Sequence, residues 1–179
     1  MKKERRNAAN LFVRECIVDA LLQLIYEKPL SAITISELTE RAGVSRMTFY
    51  RNYNSKEDIF TDELTEIMEC YRKEDQSKYH GGIYCDTAHV RHCFEYLYHY
   101  RKFLNGLIYC GFGDLFLKQL KNYIVDRWSG EYPGKEEEYK MAAFSGALYG
   151  VYISWQANGF REPLEYQVKI LNEIYGNKQ

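Results

Sequence analysis

The chain has 179 residues, of which 46% are hydrophobic, and this suits one or two small domains with buried cores. No run of 18 or more apolar residues occurs, which argues against a transmembrane helix. The basic start, residues 1–6, is followed by charged positions rather than by the apolar stretch of a secretory signal. We therefore expect a cytoplasmic protein without a membrane partner.

The net charge of −1 conceals an uneven distribution of charge along the chain. Residues 1–56 hold ten Lys and Arg against six Asp and Glu, while the remainder holds fourteen against nineteen. A basic N-terminal part on an acidic remainder favours an N-terminal part that faces nucleic acid.

Apolar residues at helical spacing predict an all-α fold of about nine helices, because no segment shows the alternation of a strand. Thr34 and Glu37 have the spacing of a capping box at a helix start. Gly43 suits a helix end that needs a positive φ angle. The predicted helices span about residues 7–27, 34–43, 45–52, 55–77, 85–100, 101–110, 114–128, 136–158 and 163–175.

Residues 34–53 have the pattern of two short helices joined by a tight turn at Gly43, which is typical of a helix-turn-helix. Their apolar positions would pack inward and leave arginine, threonine and tyrosine outside. Such an exposed helix suits the DNA major groove, where arginine binds guanine while hydroxyls bind phosphate. The candidate DNA-binding residues are Thr34, Ser45, Arg46, Met47, Thr48, Tyr50, Arg51, Tyr53 and Lys56.

This stretch resembles the DNA-binding motif of the TetR family, and the likeness continues through the Ser-Lys-Glu-Asp turn at 55–58. It covers about residues 10–65. Met47 stands where that family often has a small residue, and it offers an apolar contact to a thymine methyl. The resemblance implies base or nearby phosphate contacts for Arg46 and Thr48, and phosphate-backbone contacts for Tyr50, Tyr53, Lys56 and the helix cap Thr34.

The resemblance also implies two domains, a helix-turn-helix DNA-binding domain at 1–54 and a helical effector-binding and dimerisation domain at 55–179. Residues 144–155 and 159–163 are similar to a TetR subgroup that includes activators of dihydroxyacetone-kinase operons. That similarity implies a dimer and a sensor role without naming a ligand.

Small residues form one stripe of the helix predicted at 136–158, and bulky residues form the opposite stripe. We expect this helix and the last one to pair with their symmetry mates as a four-helix bundle. The alternative is that the small residues pack only within the monomer. The candidate dimer interface comprises Ala143, Gly146, Ala147, Gly150, Ser154, Leu164, Val168 and Leu171.

A homodimer could place two recognition helices about 34–36 Å apart, in successive major grooves of a palindrome of double-stranded DNA. A small-molecule effector or partner protein bound to the body could change that separation. The alternative function is a protein-interaction module that acts through a partner protein. The candidate effector pocket comprises Tyr98, Phe103, Leu107, Phe116, Tyr123, Tyr149 and Tyr152, although each could equally be a core side chain.

The sequence contains no nucleophile elbow, phosphate loop, zinc-hydrolase motif or paired catalytic carboxylates, so we expect no enzyme activity. Cys85, His89, His92 and His99 fall on one side of a predicted helix. Their spacing could supply two ligands to zinc, but a single ion cannot reach all four across about 21 Å. The alternatives are an exposed polar face or histidines that line a pocket, and we assign neither metal nor cofactor.

Overall fold

The computed structural model describes the backbone of residues 2–176 and the side chains of residues 10–176. Within this part of the chain it contains nine α-helices, a short 3₁₀-helix and no strand, which confirms the all-α prediction. None of the described helices is long and apolar enough to cross a membrane. The α-helices are α1 (Lys2–Glu27), α2 (Ile35–Arg41), α3 (Arg46–Asn52), α4 (Lys56–Lys78), α5 (Thr87–His99), α6 (Arg101–Tyr109), α7 (Gly113–Trp128), α8 (Lys135–Ala157) and α9 (Leu164–Tyr175).

Local hydrogen bonds fix the two short helices α2 and α3. Thr34 Oγ1 accepts from the Glu37 amide at 3.2 Å, and the Glu37 carboxylate accepts from the Thr34 amide at 3.0 Å, which confirms the capping box. Gly43 has a φ angle of 67° in the turn between the helices. Ser45 Oγ accepts from the Thr48 amide at 3.1 Å and so caps α3.

The first of two compact units comprises Met1–Glu63 and Gly106–Phe112. Its core contains the fully buried side chains of Leu21, Leu38 and Phe49. These side chains pack α1, α2 and α3 against one another, so the helix-turn-helix and α1 share one three-helix core.

The second unit comprises Leu64–Asn105 and Gly113–Gln179. Within it α5 packs against α9, and α8 packs against both α7 and α9. Its core is rich in aromatic rings, with Trp128, Tyr152 and Phe116 almost completely buried. The domain boundary that we predicted after residue 54 divides the chain by function, whereas the two units described here are defined by packing. The functional boundary stays a prediction.

Candidate functional site

The exposed side of α3 is the candidate nucleic-acid interface. Phe49 is completely buried and anchors the helix, whereas Met47 is 76% exposed and Tyr50 is 51% exposed. Arg46 and Arg51 are exposed as well. We call these four exposed residues, Arg46, Met47, Tyr50 and Arg51, the recognition face.

The charges of the recognition face are not neutralised by side chains in the described part of the chain. Among the residues that the structure describes, neither Arg46 nor Arg51 has an ion-pair partner. The Tyr50 ring packs edge-on against Phe49, with 5.3 Å between the ring centroids. The two guanidinium groups can therefore bind guanine or phosphate without first breaking a salt bridge.

Thr34 and Ser45 lie at the starts of α2 and α3, and both are exposed. Their hydroxyl oxygens already cap these helices, and Ser45 Oγ also lies 2.9 Å from Thr48 Oγ1. A hydrogen bond from Lys28, helped by the Thr34 amide, lowers the pKa of Glu37 to about 2. The carboxylate therefore stays ionised, and able to accept the capping hydrogen bond, at a lower pH than an ordinary glutamate would.

Tyr53 is not available for the phosphate contact that we expected. It is only 2% exposed, and its hydroxyl donates to Glu63 and accepts from Arg14 Nε at 3.2 Å. Arg14 also donates to Glu63 from Nη2 at 2.7 Å. Burial, together with the hydrogen bond to Glu63, raises the pKa of Tyr53. Tyr53 thus connects α1 and α4 by hydrogen bonds inside the first unit.

Lys56 is half-buried, and its charge is directed toward backbone carbonyls. Its Nζ donates to the carbonyl oxygens of Ile33 at 2.7 Å and Ser31 at 3.3 Å. Those carbonyls belong to the segment that immediately precedes α2. Lys56 therefore supports the start of the helix-turn-helix, and its contact with DNA stays a prediction.

Four of the seven candidate effector-pocket residues, Tyr98, Phe116, Tyr149 and Tyr152, pack against other aromatic rings. Phe116 contacts both Tyr149 and Tyr152, with ring centroids 5.7 and 5.5 Å apart. Tyr98 stacks on Trp155 at 5.2 Å. These rings pack as core, which was our alternative interpretation. Of the other three, Leu107 is buried in the first unit, Phe103 is buried in the second, and Tyr123 belongs to a separate polar cluster.

One cavity in the second unit lies beside Tyr123, and its volume is about 10 Å³. That volume admits roughly one water molecule. Its walls include His89, Cys93 and Trp128. Of our seven candidates only Tyr123 lines it, so any effector much larger than water would have to displace side chains there.

Two of the three histidines of α5, His89 and His92, are buried, so an exposed polar face is wrong for them. His89 is 4% exposed and His92 is 3% exposed, and both bond to the completely buried Asp75 of α4. No group of three His, Cys, Asp or Glu residues in the described part of the chain has the geometry of a metal site. Sequence reasoning missed Asp75, which has no local signal of burial.

The small residues of α8 are largely unpacked within the protomer, contrary to the alternative that they pack inside it. Ala143, Gly150 and Ser154 are exposed, while Gly146 and Ala147 are half-buried. A Cβ atom added at Gly146 or Gly150 would meet nothing within 4 Å. We call these five residues the small-residue stripe.

Val168 and Leu171 of α9, which we predicted to lie in the dimer interface, are buried within the protomer. Val168 is 3% exposed and Leu171 is 1% exposed within a single protomer, so neither can contact a second copy. Leu164 is half-buried. The outer side of α9 instead carries Tyr166, which is 51% exposed, and Ile174, which is 63% exposed.

Residues 17–62 match the sequence model of a family described as "Bacterial regulatory proteins, tetR family". A 77-residue stretch is 31% identical to "Uncharacterized HTH-type transcriptional regulator YvkB" of Bacillus subtilis (strain 168). That stretch covers 43% of this chain and 40% of the relative, so the match spans less than half of the curated protein.

Two solved structures share the fold over nearly the whole chain. The fatty acid degradation regulator FadR from Bacillus halodurans superposes with a TM-score of 0.64 at 18% identity, covering 93% of this chain and 95% of that one. A TetR-family transcriptional regulator from Streptomyces coelicolor gives 0.63 at 15% identity, covering 92% and 98%. At these identities the likeness establishes the fold alone.

Proposed function

We propose that this chain, whose residues 17–62 match the sequence model of the TetR family, is a transcription regulator of that family and binds a palindromic operator as a homodimer. The observation that carries the proposal is the recognition face of α3. It combines two arginines without ion-pair partners among the described residues, one tyrosine and one methionine, all exposed on a helix anchored by buried Phe49.

Insertion of α3 into the major groove would bring side chains of three kinds to the DNA. Arg46 and Arg51 can bind guanine bidentately or bind phosphate. The Tyr50 hydroxyl can bind phosphate, and Met47 presents an apolar surface to thymine. The caps at Thr34 and Ser45 stabilise the starts of α2 and α3, so that the backbone of the helix-turn-helix loses little conformational freedom when DNA binds.

Dimerisation through α8 and α9 would provide the second recognition helix. The small-residue stripe lets a second helix approach closely, because none of the residues that the structure describes fills the space outside Gly146 and Gly150. Tyr166 and Ile174 add exposed apolar surface on α9. An isologous contact of this kind closes after two copies, and its two-fold symmetry matches a palindromic operator.

An effector or partner protein bound to the second unit would modulate affinity for DNA. Such a ligand shifts the equilibrium only as far as it favours one state of the protein over the other. The cavity beside Tyr123 holds about 10 Å³, so a small-molecule effector bound there would displace side chains, whereas an open pocket of about 320 Å³ beside His92 and His99 could take a larger ligand. Similarity to regulators of dihydroxyacetone-kinase operons, carried by residues 144–155 and 159–163, stays a prediction about subgroup.

Titration of labelled DNA from upstream of the protein's own gene, beside a shuffled duplex, tests this function. We expect the upstream DNA to bind more tightly, with an affinity that falls steeply as salt rises. Arg46→Ala should weaken binding about 5-fold or more, since a bidentate arginine contributes about 1–3 kcal/mol. Tyr50→Phe should weaken it less, because it removes one hydroxyl and keeps the ring on Phe49.

Lys121→Ala is the matched control, because this exposed lysine lies on α7 in the second unit and its removal changes the net charge equally. It should leave affinity for the upstream DNA unchanged. Equal affinity of the wild type for upstream and shuffled DNA would contradict the proposal and favour a protein-interaction module.

A further inference from the structure

Asp75 of α4 is completely buried in the second unit and accepts three side-chain hydrogen bonds. His89 Nδ1 and His92 Nδ1 each lie 3.2 Å from the same oxygen, Oδ1. The Tyr123 hydroxyl donates to the other oxygen, Oδ2. Three helices, α4, α5 and α7, thus meet at one carboxylate.

The remaining nitrogen of each imidazole also faces an oxygen that can only accept. His89 Nε2 lies 3.2 Å from the backbone carbonyl of Gly81. His92 Nε2 lies 3.0 Å from Oε1 of Glu74. A neutral imidazole has one N–H and one lone pair, so in either tautomer one ring nitrogen would direct its lone pair at an acceptor. Only the doubly protonated ring can satisfy both contacts.

We infer that His89 and His92 are both imidazolium ions at neutral pH, and that Asp75 with its two histidines forms a proton-binding site inside the second unit. The ligand is the proton, and the site holds one more proton on each ring than a neutral histidine carries. This inference concerns the second unit alone and does not rest on the proposed function.

The charged and titratable groups of α4 around this site are consistent with two cationic rings. Glu74 also pairs with Lys78 at the surface, and the Tyr71 ring stacks on His92 with centroids 5.2 Å apart. Lys78 pairs with the Glu74 carboxylate and its charge opposes protonation of His92, while the Asp75 carboxylate supplies a negative charge in contact with both rings. With neutral rings, the completely buried carboxylate of Asp75 would have no cation in contact.

The other elements near the site contribute the following charged, titratable and aromatic groups. From α5, Cys93 is buried beside Tyr71 and carries no charge, since burial raises the pKa of its thiol to about 12. Asp86, just before α5, contributes a further negative charge toward His89. From α7, Arg127 lies over the Trp128 ring at 5.1 Å. The loop after α4 contributes the Tyr79 ring, which is 4.8 Å from His89.

The energetics of proton binding agree with this geometry. Burial is the largest single effect and lowers the pKa of both histidines, but the hydrogen bonds to Asp75, together with those to Gly81 and Glu74, raise each pKa above its ordinary value. Burial likewise raises the pKa of Asp75, and the bonds from the two histidines and Tyr123 outweigh it, so this pKa is lowered.

Nitrogen-15 NMR of the labelled full chain tests the inference, since the chain has only four histidines. His80 and His99 are exposed and serve as internal controls in the same spectrum. We expect His89 and His92 to show two N–H groups each at pH 7 and to lose a proton at higher pH than the two controls. A free lone pair on either ring at pH 7, or four coincident titrations, would overturn the inference.

Single His89→Gln and His92→Gln variants assign the signals, and two further variants identify the group that holds the protons. Asp75→Asn removes the anion and should shift both titrations to lower pH. Tyr123→Phe removes one neutral donor, keeps Asp75, and should leave both titrations above those of His80 and His99. Unchanged titrations in Asp75→Asn would overturn the role of Asp75; if that variant does not fold, the wild-type titration still decides the protonation state.

Discussion

Gly106 of α6 lies so close to Leu22 of α1 that a Cβ atom added to the glycine would be 2.4 Å from Leu22 Cδ2. The same atom would be 3.0 Å from Ile25 Cδ1, and both side chains are buried. We predict that Gly106→Ala destabilises the protein. Overpacking costs about 1–3 kcal/mol, which exceeds the gain of about 1 kcal/mol from alanine in a helix. Urea unfolding measures the difference.

Gly130→Ala is the control for this variant. A Cβ atom at Gly130 meets nothing within 4 Å, and its φ angle is not in the left-handed region. Its free energy of unfolding should stay within about 0.5 kcal/mol of the wild type. A Gly106→Ala protein at least as stable as the wild type would show that α1 and α6 do not approach as closely as described.

The parts of the fold that sequence reasoning predicted well are those set by neighbours in the chain. The capping box joins Thr34 to Glu37, three residues apart, so its pattern is visible in the sequence. Tyr53 shows the opposite case. The family resemblance implied a phosphate contact, but the hydrogen-bond partners of Tyr53, Arg14 and Glu63, lie 39 and 10 residues away.

The same reason explains why the proton-binding site and the α9 interface were missed. An aspartate in a charged helix such as α4 is typical of an exposed position, and only tertiary packing places Asp75 beside Tyr123, 48 residues later. Helical periodicity separates two sides of α9. It does not say which side packs within the protomer, so Val168 and Leu171 were assigned to the wrong one.

Met47 should contribute to operator choice by contact with a thymine methyl group. It is 76% exposed on the recognition face, and one buried methyl contributes about 0.8 kcal/mol. We predict that replacing operator thymines by uracil, one at a time, weakens wild-type binding about 4-fold at one or more positions. Met47→Ala should bind both DNAs equally. If Met47→Ala discriminates thymine from uracil as the wild type does, Met47 makes no such contact.

Gly150→Leu should disrupt the homodimer without disturbing the protomer. The added side chain points into open space in the single chain, but it would occupy the space needed by a symmetry-related helix. We predict a shift toward monomer in sedimentation at micromolar concentration, with unchanged helix content. Lys121→Leu adds similar apolar bulk on exposed α7 and should leave the oligomeric state unchanged. A fully dimeric Gly150→Leu protein would exclude the small-residue stripe from the interface.

Stability should fall as pH rises from 6 to 8, because of His89 and His92. Their pKa values are raised in the folded protein above the ordinary value of about 6.5, so the native state keeps protons that the unfolded chain releases. Their stabilising contribution is therefore complete below the unfolded pKa and is lost as pH rises through the folded pKa.

The free energy of unfolding should fall by at most about 1.4 kcal/mol per pH unit for each histidine. Urea unfolding at several pH values should show this decline in the wild type and in His80→Gln, whereas a His89→Gln, His92→Gln double variant should show a flatter dependence. A wild-type stability that increases across this interval would mean that the buried rings are neutral, since rings that bind protons less readily when folded give the opposite sign.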